Sequence, residues 1–371
     1  MKITCNKSEL SHALSSLCRI VPVRTNYPIL TGCLLTAIGQ TLILQCTDLE
    51  LSLEINIPVQ VEEEGSLIVT AKHFFDLVRK LQGDRLSLSW SEESKLLELN
   101  YDTAKSNFFT WDAEEFPLTE QKPIEYKINF PGGKWKKIIN KVITAAASQD
   151  VRINYAGVYV RFDNKKIQMA ATDAYRLAFI KIPNTTDIVD CDLFIPVKAL
   201  IEVNRLAADS KDLEISWNAG NIYFKTEEFI LSSRLINNQF PDYEKVIPQE
   251  PELKINVPRD ILLTTLERAS LFVSPEEQYA VAVLKVEDDR LILTAHATEI
   301  GSLEEIIFLQ EPTVKNCEAS FNAKYLLDPL QVMDKEYVTL CLNGTSGPAV
   351  YIEDDEEGFY LHLISPVCRV S

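Results

Sequence analysis

KIQMAATDAYRLAFI, residues 166–180, decides the fold, because the same pattern occurs twice more in the chain at a nearly constant spacing. Its counterparts are TLILQCTDLELSLEI at 41–55 and RLILTAHATEIGSLE at 290–304. Asp48, Asp173 and Glu299 hold the same place in each copy, 125 and 126 residues apart. Apolar and polar residues alternate on both sides of this acidic position, which is typical of two strands joined by a turn. The stretch therefore predicts one hairpin in each of three repeated units.

Two further landmarks keep the same spacing. A Lys-Ile pair opens each unit, at 2–3, 127–128 and 254–255. A lysine also stands at a strand-to-helix switch in each unit, within LIVTAKHFFDLVRKL, LFIPVKALIEVNRL and ASFNAKYLLDPLQVM, and these lysines are Lys72, Lys198 and Lys324. Three landmarks in register indicate that the whole chain is a threefold repeat.

Each unit begins with a strand and a helix, continues with alternating strands and a second helix, and ends with more strands. Because strands greatly outnumber helices, the pattern predicts an α+β fold with helices on one face of antiparallel sheets. Two stretches rich in proline and acids, 114–126 and 240–252, have the composition of linkers. We therefore expect domains at 1–122, 123–249 and 250–371. The predicted helices are 8–20, 72–81, 132–148, 198–206, 259–270 and 324–333.

The charge of the chain is unevenly distributed. Its net charge of −17 argues against ordinary DNA binding, in which lysine and arginine supply most of the affinity. However, the predicted helix at 132–148 carries four lysines and no acid, whereas acid runs at 61–65 and 353–357 fall in predicted strand turns. If all helices face one side, that side attracts phosphate and the other repels it. The alternative is that these lysines form the solvated faces of ordinary amphipathic helices.

No pattern of a catalytic or metal site occurs in the sequence. The eight cysteines form no CxxC pair, which favours reduced, buried thiols. There is no GxxxxGK[ST] loop, GxGxxG or HExxH, and His12, His73, His296 and His362 are scattered. Asp48 and Asp173 repeat with the fold, which favours a turn-capping role over catalysis. We therefore expect a non-enzymatic protein without a cofactor or metal.

The chain also lacks the features of a membrane or exported protein. No stretch reaches the apolar length of a transmembrane helix, and the start MKITCNKSEL has no signal-peptide core. We expect a cytoplasmic protein with no membrane partner.

Four stretches carry a resemblance to a known family: YPILTGCLL (27–35), TDAYRLA (172–178), SRLINNQFPDYEKVIP (233–248) and FNAKYLLDPL (321–330). Over essentially its whole length the chain resembles the β sliding clamp family of bacterial DNA polymerase III. The resemblance implies three similar domains with two helices inside and sheets outside, joined head to tail as a dimeric ring around double-stranded DNA. It further implies a non-catalytic processivity factor. Its partners would be the replicative polymerase, the clamp loader, and other polymerases and repair proteins.

The resemblance also implies a peptide-binding groove between the second and third domains. Two positions depart from the usual TDGHRLA pattern, since this chain has Ala174 and Tyr175, and its C-terminal tail is longer than usual. Glycine permits backbone conformations that alanine resists, so the preferred partner motif can differ. The groove residues implied are Tyr155, Thr172, Ala174, Tyr175, Arg176, Leu177, Pro241, Val246, Leu363, Ile364, Ser365, Pro366 and Val367.

The remaining site predictions concern the dimer contact and DNA. The resemblance places Phe108, Phe272 and Val273 at the interface between chains, although a core position is an alternative for Phe108. It also implies that Arg24, Gln149 and Arg152 contact DNA. Charge placement alone adds phosphate-contacting residues on the predicted helices: Lys72, Arg79, Lys80, Lys134, Lys136, Lys137, Lys141, Lys198 and Arg205.

Two other classes of function compete with this interpretation. A Mg²⁺-dependent nuclease would need a compact group of acids, and the sequence has none. A monomeric interaction scaffold would keep the peptide groove but would form no ring and would not be retained on circular DNA.

Overall fold

The structure is a computed structural model that describes residues 1–101, 103–117, 123–147, 153–188, 190–208, 211–274 and 276–367. In the described residues, all strand pairs are antiparallel and six α-helices connect them. The predicted α+β class is confirmed. The helices are α1 (Lys7–Leu17), α2 (Ala71–Val78), α3 (Gly132–Ile143), α4 (Val197–Leu206), α5 (Arg259–Ala269) and α6 (Ala323–Leu330).

The strands follow the threefold repeat. The first repeat has β1 (Lys2–Asn6), β2 (Gly32–Ile38), β3 (Thr41–Thr47), β4 (Leu51–Pro58), β5 (Gln60–Glu63), β6 (Gly65–Thr70), β7 (Arg85–Ser91), β8 (Leu96–Tyr101) and β9 (Ala104–Trp111). The second has β10 (Tyr126–Pro131), β11 (Gly157–Phe162), β12 (Lys166–Thr172), β13 (Arg176–Pro183), β14 (Cys191–Pro196), β15 (Asp212–Trp217), β16 (Asn221–Lys225) and β17 (Phe229–Arg234). The third has β18 (Leu253–Pro258), β19 (Val281–Glu287), β20 (Arg290–Ala297), β21 (Gly301–Phe308), β22 (Cys317–Asn322), β23 (Tyr337–Leu342), β24 (Ala349–Asp355) and β25 (Gly358–Ile364).

The helices begin within one residue of their predicted starts, and all of them except α4, which ends at Leu206 as predicted, end earlier than predicted. At the start of α1, the Asn6 side chain accepts hydrogen bonds from the amides of Ser8 and Glu9 at 2.8 and 3.3 Å, which caps the helix. The prediction of 132–148 for α3 was wrong at its end, because the helix stops at Ile143. The following residues form tighter turns, as the amide of Ala146 donates to the carbonyl of Ile143 at 3.1 Å.

Contacts within the chain group its residues into two compact units. The first contains residues 1–133 and 202–235, and the second contains 134–201 and 236–371. The second repeat is therefore divided between the units, which local sequence patterns did not predict. The domain limits at 122 and 249 stay a prediction.

The first unit is built on one large sheet. Its thirteen strands run in the order β10-β15-β16-β17-β4-β3-β2-β6-β9-β8-β7-β1-β5. The pairing of β17 with β4 joins the second repeat to the first, with Leu231 opposite Leu53. Helices α1 and α2 pack against each other in this unit, and Leu10, Leu14 and Leu17 of α1 are fully buried. The apolar spacing of α1 thus covers the sheet, as its sequence predicts.

The second unit contains two sheets. One has eight strands in the order β14-β11-β12-β13-β25-β24-β23-β18, and the other has four in the order β21-β20-β19-β22. Here β13 of the second repeat pairs with β25 of the third, with Ala178 opposite His362. Helices α5 and α6 pack against each other in this unit. The same strand position therefore joins neighbouring repeats in both units.

Candidate functional site

The turn between β12 and β13 is held by its own polar side chains. The Thr172 hydroxyl donates to the carbonyl of Arg176 at 2.7 Å and accepts from the amide of Ala174 at 3.1 Å. The Asp173 carboxylate accepts from the amides of Tyr175 and Arg176, both at 3.0 Å. This arrangement confirms the turn-capping interpretation of the repeated aspartate.

Ala174 has a left-handed backbone, with φ of +78°. Leu49 and Glu299, at φ of +77° and +70°, have the same conformation in the matching turns of the other repeats, so Glu299 corresponds in the structure to Ala174 and not, as the sequence pattern suggested, to Asp173. A residue with a Cβ atom is strained there, so the glycine of the usual family pattern suits this turn better. The turn keeps its shape without glycine because the side chains of Thr172 and Asp173 hold it.

Arg176 is a structural member of this site. Its guanidinium pairs with Asp173 at 2.9 Å and with Asp328 of α6 at 2.5 Å, and it lies 4.3 Å from the centre of the Tyr325 ring. Burial alone would lower the pKa of Arg176, because it disfavours the charged guanidinium. The hydrogen bonds to Asp328 and Asp173 and the negative charges of these two residues outweigh burial and raise the pKa above its ordinary value. Its side chain is only 12% exposed. Arg176 therefore anchors the turn to α6 and offers little surface to a ligand.

The C-terminal segment runs beside this turn. Leu363 lies opposite Leu177 and Ile364 opposite Arg176 in the ladder between β25 and β13. Beyond the strand, the amide of Ser365 donates to the carbonyl of Tyr175 at 2.8 Å. The structure thus brings the predicted groove residues 172–177 and 363–365 together.

An apolar cluster lies beneath the groove. Leu177, Phe179, Leu361 and Leu363 are buried in it together with Tyr243. The sequence reasoning missed Tyr243, although the Phe-Pro-Asp-Tyr stretch that contains it had been noted. An aromatic residue in a linker is the signal that could have identified it.

Several of the predicted groove residues expose apolar side chains. Tyr175 is 60% exposed and Val246 is 54% exposed, while Pro241 and Pro366 are half-buried. Exposed apolar side chains next to polar groups suit a short extended peptide. The remaining predicted members, Tyr155 and Val367, form backbone hydrogen bonds to other segments. The carbonyl of Tyr155 accepts from the amide of Ala147 at 3.3 Å, and the amide of Val367 donates to the carbonyl of Ser320 at 2.8 Å.

Most of the predicted DNA-contacting side chains are exposed: Arg24, Lys72, Arg79, Lys80, Lys134, Lys137, Lys198 and Arg205. Lys136 is half-buried, and Gln149 and Arg152 lie outside the described residues. Some of the exposed charges have acidic neighbours, such as Asp76 at 2.9 Å from Arg79 and Glu202 at 2.5 Å from Arg205. The positive character of these helices is therefore weaker than the residue count suggests.

Lys141 differs from the other lysines of α3. Its ammonium lies 2.6 Å from the buried carboxylate of Glu353, and the lysine side chain is only 18% exposed. The ammonium is committed to this ion pair, so we leave Lys141 out of the DNA surface. Sequence alone could not reveal this, because Glu353 follows 212 residues later.

Strands β9 and β21, one in each unit, are among the strands whose edges are largely unpaired. In the described residues, β9 pairs with β8 from Ala104 to Phe109 and with β6 only at Thr110 and Trp111. Strand β21 pairs only with β20. Edges of this kind present unpaired backbone groups to a further strand.

The predicted interface residues lie beside these edges. Phe108 is half-buried in β9, with its ring centre 5.4 Å from that of Phe74, while the neighbouring Phe109 is 87% exposed. At the other edge, the half-buried Phe272 ring lies beside Gly301, the first residue of β21. Val273, which follows it, is also half-buried. The sequence reasoning missed several exposed apolar residues at these edges: Phe109, Leu271, Ile306 and Phe308.

The expectation of buried thiols holds for part of the described cysteines, since Cys18, Cys191 and Cys317 are only half-buried. Cys5, Cys33, Cys46 and Cys341 are buried free thiols, and burial raises the pKa of Cys5 to about 12. Among the described residues, no group of three or more possible ligands could hold a metal ion, and no helix is long and apolar enough to span a membrane.

Comparisons with known proteins agree along the whole chain. Residues 1–120, 129–242 and 244–367 match the N-terminal, central and C-terminal domains of the DNA polymerase III beta subunit. The beta sliding clamps of Staphylococcus epidermidis and Staphylococcus aureus are each 27% identical to this chain, over 99% of both proteins.

Solved structures give the same result. The DNA polymerase sliding clamp of Bacillus subtilis is 26% identical, with a TM-score of 0.90 over 99% of both chains. The sliding clamp of Pseudomonas aeruginosa bound to griselimycin is also 26% identical, with a TM-score of 0.89 over 99% of both chains. The chain belongs to the DNA polymerase III beta subunit family, the non-catalytic sliding clamps that encircle DNA and tether the replicative polymerase.

Proposed function

We propose that this chain performs its clamp function in the cytoplasm as a closed ring of two copies, joined through the free edges of β9 and β21. The proposal is carried by one observation: neighbouring repeats are joined by the same kind of strand pair at both junctions. Strand β4 of the first repeat pairs with β17, the last strand of the second, and β13 of the second pairs with β25, the last strand of the third. In the third repeat, the strand that corresponds to β4 and β13 is β21. The last strand of the first repeat, which corresponds to β17 and β25, is β9. These two strands have no such partner within the described chain.

A second copy supplies the missing partner for each edge. If β21 of one copy pairs with β9 of the other, two identical junctions form and the ring closes, as a closed head-to-tail assembly requires. The apolar side chains beside both edges, Phe108 and Phe109 at one and Phe272 and Val273 at the other, would be buried by this contact. Their burial supplies a hydrophobic driving force that backbone pairing alone lacks.

DNA would pass through the ring beside the helices. Exposed lysines such as Lys72, Lys134 and Lys198 would contact phosphates, which carry no sequence information. The strong negative charge of the rest of the chain keeps this attraction weak. Topology then holds the ring on DNA, and weak contacts permit sliding.

The groove between residues 172–177 and 363–367 would tether partners. Its exposed apolar side chains and buried floor support binding of short apolar-aromatic segments of polymerases, the clamp loader and repair proteins. Because Arg176 is fixed by two aspartates, we expect selectivity to come mainly from Tyr175, Val246 and the C-terminal segment.

The experiment is loading of the clamp onto nicked circular DNA, followed by primer extension by the replicative polymerase. Tyr175→Ala with Val246→Ala should remain on circular DNA but lose stimulation of the polymerase. Val314→Ala removes a fully exposed apolar side chain outside the groove and serves as the matched control. Release of the unaltered protein while the circle is intact would contradict the ring, and full stimulation by the double variant would contradict the groove.

A further inference from the structure

A cleft of about 240 Å³ lies within the first unit, at the junction of β4, β17 and β16. Ser52 and Glu54 of β4 line it from one side, and Ile230 and Ser232 of β17 lie opposite them. Tyr223 of β16 lies opposite Ser232 and completes the wall. This junction joins the first repeat to the second.

The equivalent junction in the second unit has the same register but different side chains. There Leu177 and Phe179 of β13 lie opposite Leu363 and Leu361 of β25, and Val350 of β24 lies opposite Leu363. All five residues are apolar. They belong to the buried cluster beneath the peptide groove. The two junctions are thus built alike, but only the first has polar walls.

At the second junction a side chain of the chain itself fills the space. Tyr243 is buried there, with its ring centre 5.5 Å from that of Phe179. Tyr243 stands three residues after Phe240, the start of a Phe-Pro linker.

The cleft has polar groups that can accept hydrogen bonds. The Glu54 carboxylate accepts one bond from the side chain of Gln45 at 2.8 Å. Throughout the described chain, no lysine or arginine lies within ion-pair distance of Glu54. The Tyr223 hydroxyl is buried without a hydrogen-bond partner. Phe116 adds a second aromatic wall. A carboxylate, a hydroxyl and aromatic faces together suit a planar cation that donates several hydrogen bonds.

We propose that this cleft binds an arginine side chain in a peptide segment of a protein recruited to the clamp. The guanidinium would donate to Glu54 and to the oxygen of Tyr223 while it packs against the aromatic walls. Arginine fits better than lysine because its planar fork can meet a carboxylate and an aromatic face together. The net charge of −17 favours a basic partner segment. The inference rests on the proposed function for its partner, but it uses a site separate from the peptide groove.

The probe is a fluorescein-labelled peptide, Gly-Leu-Arg-Leu-Gly, titrated with the full-length protein and followed by fluorescence anisotropy. The matched peptide has glutamine in place of arginine. We expect the arginine peptide to bind at least about tenfold more tightly, since a charge-assisted pair contributes about 1.4 kcal/mol or more. Glu54→Gln should remove most of this difference, and Tyr223→Phe should reduce it about threefold. Glu50→Gln, in the neighbouring exposed turn, should leave binding unchanged.

The groove variants distinguish this site from the proposed function. Tyr175→Ala with Val246→Ala should bind the arginine peptide normally although it fails to stimulate the polymerase. Glu54→Gln should stimulate the polymerase as strongly as the unaltered protein, and an unlabelled groove peptide should inhibit both proteins equally. Equal binding of both labelled peptides, or unchanged binding by Glu54→Gln, would overturn the inference. Loss of the arginine peptide in the groove variant would assign its binding to the groove and would also overturn it.

Discussion

The ion pair between Lys141 and Glu353 should be a main determinant of stability in the second unit. The carboxylate is 3% exposed and lies 2.6 Å from the ammonium. It also accepts from the amides of Asp334 and Lys335, at 3.2 and 3.4 Å. Glu353→Ala would leave a largely buried ammonium and two amides without their acceptor. Breaking a buried pair from one side costs about 3 to 5 kcal/mol, and partial exposure of Lys141 places the cost near the lower limit.

Thermal unfolding followed by circular dichroism measures this cost. For a unit of this size, about 3 kcal/mol corresponds to a fall of about 6 to 12 °C in the transition midpoint. Lys137 and Asp334 provide the control, because they form an exposed pair 3.8 Å apart. Lys137→Ala should cost at most about 1 kcal/mol. Replacing both Lys141 and Glu353 with methionine should cost less than Glu353→Ala, because no charge is then left buried. If Glu353→Ala is as mild as Lys137→Ala, the pair does not stabilise the unit as we argue.

Two further predictions concern the same unit. Ala174→Gly should raise the free energy of unfolding by about 0.5 kcal/mol, because relief of the left-handed strain exceeds the added entropy of the unfolded chain. In urea titrations, Ala178→Gly in the adjoining strand should instead lower this free energy, and the same sign for both variants would count against the strain. Burial and the charge of Arg176 lower the pKa of His362 from 6.5 to about 3. The folded state therefore keeps His362 neutral while the unfolded state takes up a proton as the pH falls through 6.5, so stability falls as the pH is lowered, by about 1.6 kcal/mol between pH 6.5 and 5. His362→Phe should reduce this pH dependence in urea titrations by that amount, and an unchanged slope would refute the assignment.

The sequence predicted local features well because they depend on neighbouring residues. The hairpin at residues 166–180 and the start of α2 at Ala71 follow from alternation and from a strand-to-helix switch. The turn role of Asp173 follows from its short side chain, which reaches the amides two and three residues later. These signals act over a few residues and can be read directly.

Features that depend on distant pairing could not be read from the sequence. The pairing of β4 with β17 and of β13 with β25 divides the second repeat between two units, and no local pattern specifies which edge meets which. The burial of Lys141 depends on Glu353, and the anchoring of Arg176 depends on Asp328, 152 residues away. A lysine on an amphipathic helix looks solvated until the opposing strand is known.

Ring closure through the edges of β9 and β21 is tested most directly by sedimentation velocity across a dilution series. We expect a species near twice the 42.0 kDa chain mass. Phe272→Ala with Val273→Ala should convert it to the single chain, whereas Val314→Ala should not. A single chain at every concentration of the unaltered protein, or a double variant that stays paired at high dilution, would contradict closure through these edges.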